Sequence, residues 1–304
     1  MAYFIHRTEA AAAALQNVLL EQNSQAFELL ESWRDDPARN IHGARQRFKR
    51  IRAALRLLRP VAPYVFSVEN QLYRALGRQL SHVRDASAMV EAIDFLHTMS
   101  RGEDVQESLG MLKIGLEHRA AAELESGLID LPGRCEAICA ELERAGTRFT
   151  RLPLRSVNRQ HLKQAARKGL RRCAKFYNRA YQSNRAEDFH ECRKQVKYSY
   201  NQARLMQDMM PRWARRYAAP LDQLAGLLGH RQDFFVLDQL LVAQPDELGL
   251  DMHLRRIRML IDSAQDALQG QIFAVGNQIS QLRALPSPDN LVTLKPRAAA
   301  AHRP

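Results

Sequence analysis

Two stretches of this chain echo one another at a separation of 148 residues. The first, from His42, reads HGARQRFKRIRAALRLLR, and the second, from His190, reads HECRKQVKYSYNQARLMQ. Each carries a histidine followed by basic residues three, seven and fourteen positions on: His42, Arg45, Lys49, Arg56 and His190, Arg193, Lys197, Arg204. On an α-helix this spacing confines all four side chains to a sector of about 60°. The row runs about 20 Å along the axis. Arg52 falls in nearly the same row, and Tyr200 takes its place in the second copy. The apolar residues Ile41, Ala44, Phe48, Ile51, Leu55 and Leu58 lie on the adjoining face, as do Phe189, Cys192, Val196, Ala203 and Met206. The basic rows therefore sit at the shoulder of the buried face, whereas an ordinary solvated face lies opposite it.

The echo continues without a gap. At the same offset Leu76 meets Leu224, Leu80 meets Leu228, His82 meets His230 and Asp85 meets Asp233. Polar matches held at one offset over more than forty residues point to an internal duplication. The hydrophobic periodicity predicts helices over about 5–33, 39–59, 66–98 (with a break near Ser81) and 104–128. Pro132-Gly133 is expected to interrupt the last of these before a further helical piece to Gly146. After a basic joint at Pro153 the pattern restarts over 158–184, 187–209, 212–243 and 250–284, with Pro211 and Pro245 as breaks. No strand pattern stands out. The expected fold is all-α: two four-helix bundles, 1–150 and 151–285, related by a pseudo-twofold, with a short disordered tail over 286–304.

The net charge of +12 is unevenly spread. Residues 1–150 carry 19 Lys+Arg against 20 Asp+Glu, and residues 151–304 carry 26 against 13. The first half concentrates its cations: residues 42–59 hold seven and no acid. Such a field favours a polyanion. The four cysteines have no paired metal spacing, and reduced thiols in a cytoplasmic protein are the expectation. No stretch of eighteen apolar residues suggests a membrane span.

The ordered set HxxRxxxKRxR, LxxxRD, HxxRKxxKxxY and LGxxxD resembles the CHAD family, the conserved histidine α-helical domain, over about residues 5–285. The resemblance implies an all-helical fold of two four-helix bundles and a basic central surface that binds inorganic polyphosphate, without catalysis and without a cofactor. By matching position it places the family's histidine and basic residues on His42, Arg45, Lys49, Arg50, Arg52, His190, Arg193, Lys194 and Lys197. Some members carry a fused triphosphate-tunnel domain with an ExExK signature, which this sequence lacks. Gln232, the residue before Asp233, departs from the family's usual pattern.

The residues carry a reading of their own. Two cationic rows brought together would repel unless an anion lay between them. Arginine offers phosphate a planar fork and lysine a point charge, and a phosphate chain supplies acceptors in series. His42 and His190 could add donors when protonated, or bond an aspartate when neutral. Asp85 and Asp233, with His82 and His230 three residues earlier, read as supports that neutralise an arginine or cap a turn. A metal site of His42, His82 and Asp85 is disfavoured by the cations around it. A further row, Lys168, Arg172, Lys175 and Arg179, is not duplicated and reads equally as a ligand wall or a solvated face. The expected function is non-catalytic polyphosphate binding, compatible with association with polyphosphate granules. A polyphosphate hydrolase or phosphotransferase is the first alternative, but no Walker loop or Mg²⁺-type carboxylate cluster appears. Nucleic-acid binding is the second, with few aromatic residues in the rows for base stacking.

Overall fold

The computed structural model describes residues 3–100, 102–243 and 254–284, with side chains for all of these but 82–88, 123–124, 126–128 and 282–284. The expected tail at 286–304 and the break at Pro245 lie outside the described residues. The fold is all-helical. In chain order the helices are α1 (Ala11–Glu31), α2 (Pro37–Leu58), α3 (Pro63–Gln79), α4 (His82–Met99), α5 (Glu103–Thr150), α6 (Arg159–Ser183), α7 (Ala186–Leu205), α8 (Pro211–Ala243) and α9 (Leu254–Ala284).

Local chemistry sets several of the helix ends. Asp36 accepts a hydrogen bond from the Arg39 N–H (3.0 Å), and Pro37 opens α2 where its missing N–H costs nothing. Asn158 does the same for α6 through the His161 N–H (3.0 Å), and Asn184 closes that helix in the left-handed conformation at φ 49°. Between α3 and α4 the chain turns at Leu80, and the Ser81 hydroxyl donates back to the Arg78 carbonyl (2.6 Å). That is the expected break near Ser81.

Two expectations fail. The first helix begins at Ala11, not residue 5. Residues before it form a strap across other helices: the Ile5 N–H donates to the Leu205 carbonyl (2.8 Å), and the Arg7 N–H to Asp208 Oδ2 (2.7 Å). Tyr3 and Ile5 are buried there, so their apolar character serves packing rather than an extra helical turn. Second, Pro132 does not interrupt its helix. α5 runs 48 residues through Pro132 and Gly133. Proline removes one hydrogen bond, but Leu131, Cys135, Ile138 and Leu142 are buried around it, and that packing overrides the local defect.

α1 packs on α2 and α5, α2 on α3, and α4 on α5; α7 packs on α6 and α8, and α8 on α9. α2 also meets α7 and α6, and α4 meets α8. The buried apolar side chains form one cluster from Tyr3 to Ile279 that crosses this seam. Gln202 of α7, itself buried, donates to the Ala53 carbonyl of α2 (3.3 Å). A side chain at Gly169 of α6 would meet the end of Gln202, which would have to move aside where α6 and α7 close up.

Candidate functional site

A groove opens along the seam of α2 and α7. Its larger compartment encloses about 680 Å³. α2 contributes Arg45, Lys49, Arg52 and Arg56; α7 contributes His190, Arg193, Lys194 and Lys197; α3 adds Arg74 and Arg78. A second compartment of about 310 Å³ shares Arg56, Gln195 and Tyr198 with the first, and adds Arg59, Lys168 and Arg172. Twelve lysines and arginines line the two compartments, against two carboxylates, Glu191 and Asp233.

Neutral groups hold Arg52 and Arg56, and one also meets Arg45. Arg45 Nη1 donates to the Leu80 carbonyl (2.5 Å), at the end of α3 where that helix dipole is negative. Arg52 Nε and Arg56 Nη1 both donate to Asn70 Oδ1, at 3.3 and 2.8 Å. Arg56 Nη1 also reaches the Arg52 carbonyl (2.9 Å). The Arg56 guanidinium lies 3.4 Å from the Tyr198 ring centroid, and Arg52 lies 5.6 Å from it. An amide and an aromatic face orient a guanidinium without cancelling its charge.

The electrostatics record the crowding. Burial, then the charges of Arg52, Arg172 and Arg59, bring the Arg56 pKa down to about 10, with Tyr198 opposing. Burial also lowers that of Arg52, again against Tyr198, and the Arg74 and Arg78 charges add to the fall. Protons are held less firmly here than in water, because burial first and neighbouring guanidiniums second disfavour the charged form. Lys194 is paired with Glu191 (2.6 Å).

The structure brings most of the sequence-predicted residues together, but not all. His190 lines the groove, its Nδ1 3.1 Å from Gln232 Oε1, which gives the departing Gln232 a partner. Among the described residues His42 lines neither compartment; its Nε2 lies 2.7 Å from the Gln46 amide nitrogen. Arg50 and Arg204 also stay out of the lining, and meet elsewhere on the seam. From the row on α6, Lys168 and Arg172 reach the second compartment, Lys175 is exposed outside it, and Arg179 is bonded to Asp188 (2.8 Å). His230 stacks on Phe95 of α4 at 3.9 Å between centroids, and burial lowers its pKa with Arg193 adding to the shift against Asp233 and Glu91. It packs between α4 and α8. Asp233 lies in the groove wall. The side chains of His82 and Asp85 lie outside the described residues.

Arg59, Arg74, Arg78, Asn70 and Tyr198 were not expected. At the repeat offset Arg74 and Arg78 meet Asp222 and Gly226, so a search for duplicated cations passes over them. Their own spacing of one helical turn is the signal that would have found them.

Fold and groove together define an all-helical protein built round a polycationic seam. The CHAD domain family model matches residues 17–242, and the chain belongs to that family. The crystal structure of the CHAD domain from the plant Ricinus communis is similar to it with a TM-score of 0.60 and 18% identity, covering 94% of this chain and 96% of that one. That likeness is one of fold. No curated protein matches the chain.

Proposed function

We propose that this chain binds inorganic polyphosphate in the α2–α7 groove and does no chemistry on it. The observation that carries the proposal is the pair Arg52 and Arg56, which share one neutral oxygen of Asn70 while ten further lysines and arginines line the same groove. A pair of guanidiniums held by a neutral acceptor keeps its charge for a ligand. Two compartments joined at Arg56 and Tyr198 suit a chain of phosphates better than a single one. Tyr198 already carries Arg56 on its face, which takes away a stacking platform that a nucleobase would need. The offset of 148 residues carries α2 onto α7 and α1 onto α6, which supports duplication as the origin of the facing rows. Residence in the cytoplasm, with polyphosphate granules as one setting, belongs to the same proposal. No described helix is long and apolar enough to cross a membrane.

Competition tests it. Labelled polyphosphate is bound in moderate salt and challenged with duplex DNA, single-stranded RNA and orthophosphate at equal phosphate concentration. Retention of polyphosphate against all three is expected, and displacement by either nucleic acid overturns the assignment. Steady phosphate release in the presence of Mg²⁺ or Mn²⁺ would replace binding with turnover.

A further inference from the structure

A second group of arginines lies away from the groove. On α2, Arg47 and Arg50 sit ~140–160° around the helix from Arg45 and Arg52. Both reach towards one oxygen, Gln22 Oε1 of α1, at 3.4 and 3.5 Å. Gln22 is 1% exposed, so this oxygen is a fixed part of the interior. The bonds that lead on from Gln22 pass through Gln25 before they reach a carboxylate, Glu21. Across the seam, Arg204 of α7 lies against the Tyr200 ring (5.9 Å) and close enough to Arg50 for the two charges to oppose each other. The strap before α1 covers the cluster: the Tyr3 ring lies 5.4 Å from the Arg50 guanidinium, and its hydroxyl donates to the Arg50 carbonyl (2.9 Å). Arg47 Nε is buried and makes no hydrogen bond.

We propose that Arg47, Arg50 and Arg204 form a second oxyanion site, of the size of one phosphoryl group, separate from the groove and lying under the Tyr3 strap. Two guanidiniums of α2 share a single neutral acceptor there, and a third, from α7, lies close enough to oppose them. Burial, with repulsion from Arg47 and Arg204, lowers the pKa of Arg50, as Tyr3 and Tyr200 oppose the fall. A tetrahedral oxyanion would accept from several forks at once and relieve that repulsion. The inference does not depend on what the groove binds. The anion could be free phosphate or a phosphoryl unit of a longer chain.

Because the strap closes the site, its own amides report occupancy. Hydrogen–deuterium exchange of the Ile5 and Arg7 amides, bonded to Leu205 and Asp208, is followed in the full chain with orthophosphate and separately with polyphosphate. Slower exchange with orthophosphate is expected and identifies a free anion; slowing with polyphosphate alone identifies a unit of the chain. Arg50→Gln with Arg204→Gln should lose the slowing, while Arg52→Gln with Arg56→Gln should keep it. No slowing with either anion, slowing that survives the first pair, or slowing lost in the second pair each overturns the site. If the first pair does not fold, Arg47→Gln is judged by the same criterion. The fate of polyphosphate in the competition assay is read independently, so failure of one assignment leaves the other standing.

Discussion

Replacing Arg56 with glutamine measures how far the groove is charged at the expense of stability. Folding brings the Arg56 pKa down from its ordinary value to about 10, through burial first and neighbouring arginines after it, net of the opposing pull of Tyr198. That fall disfavours the charged form by ~3 kcal/mol at neutral pH. Glutamine removes that burden but also the stack on Tyr198 and the bonds to the Arg52 carbonyl and Asn70 Oδ1, together worth ~2 kcal/mol. The unliganded variant should therefore gain about 1 kcal/mol, a rise in Tm of about 2 °C by differential scanning fluorimetry. Its affinity for polyphosphate should fall about tenfold, the cost of one charge-assisted contact. The pH dependence has a definite sign. Folding depresses this pKa, so the unfolded chain holds the extra proton above about pH 10. The penalty is complete below pH 10 and fades as pH rises through it, so the stability gap between variant and wild type should narrow there. A variant that loses more than about 1 kcal/mol without ligand would refute the reasoning, and would make Arg56 an internal strut.

Three further outcomes follow from the same geometry. Affinity for polyphosphate should fall steeply with salt; if about six phosphates are neutralised, the log–log slope is about −4, and Arg52→Gln with Arg56→Gln should flatten it by about 1.4. Glu191→Gln releases Lys194 from its ion pair and should tighten polyphosphate binding about twofold to fivefold, measured by titration calorimetry. Pro132→Ala restores a backbone hydrogen bond inside α5 and should raise stability by about 1–3 kcal/mol in urea unfolding.

The helical fold was legible because it rests on local rules, and the meeting of α2 with α7 was suggested by the repeat that relates them. Pro37, Pro63 and Pro211 open helices, and the apolar stripe of α2 fixes which face is buried. The same stripe places Arg45, Lys49, Arg52 and Arg56 at the edge of that face, where a neighbouring helix can meet them. What escaped depends on partners remote in sequence. Arg179 looked like part of a ligand wall until Asp188 claimed it. His42 and His190 look equivalent in the repeat, yet only His190 reaches the groove lining, because helix azimuth says nothing of how two helices cross. Reliance on the repeat also hid Arg74 and Arg78, whose counterparts are not basic. Pro132 misled through a local rule that the core around α5 overrules.

The strap before α1 has a consequence for how the chain matures. Its bonding partners, Leu205 and Asp208, lie some two hundred residues further on. At ordinary synthesis rates of about 5–20 residues per second, α7 emerges on the order of 10–40 s after the strap. Through that interval Tyr3 and Ile5 have no α7 to settle against. A segment made early is thus among the last to reach its place, and it fastens a helix that did not yet exist when it left the ribosome.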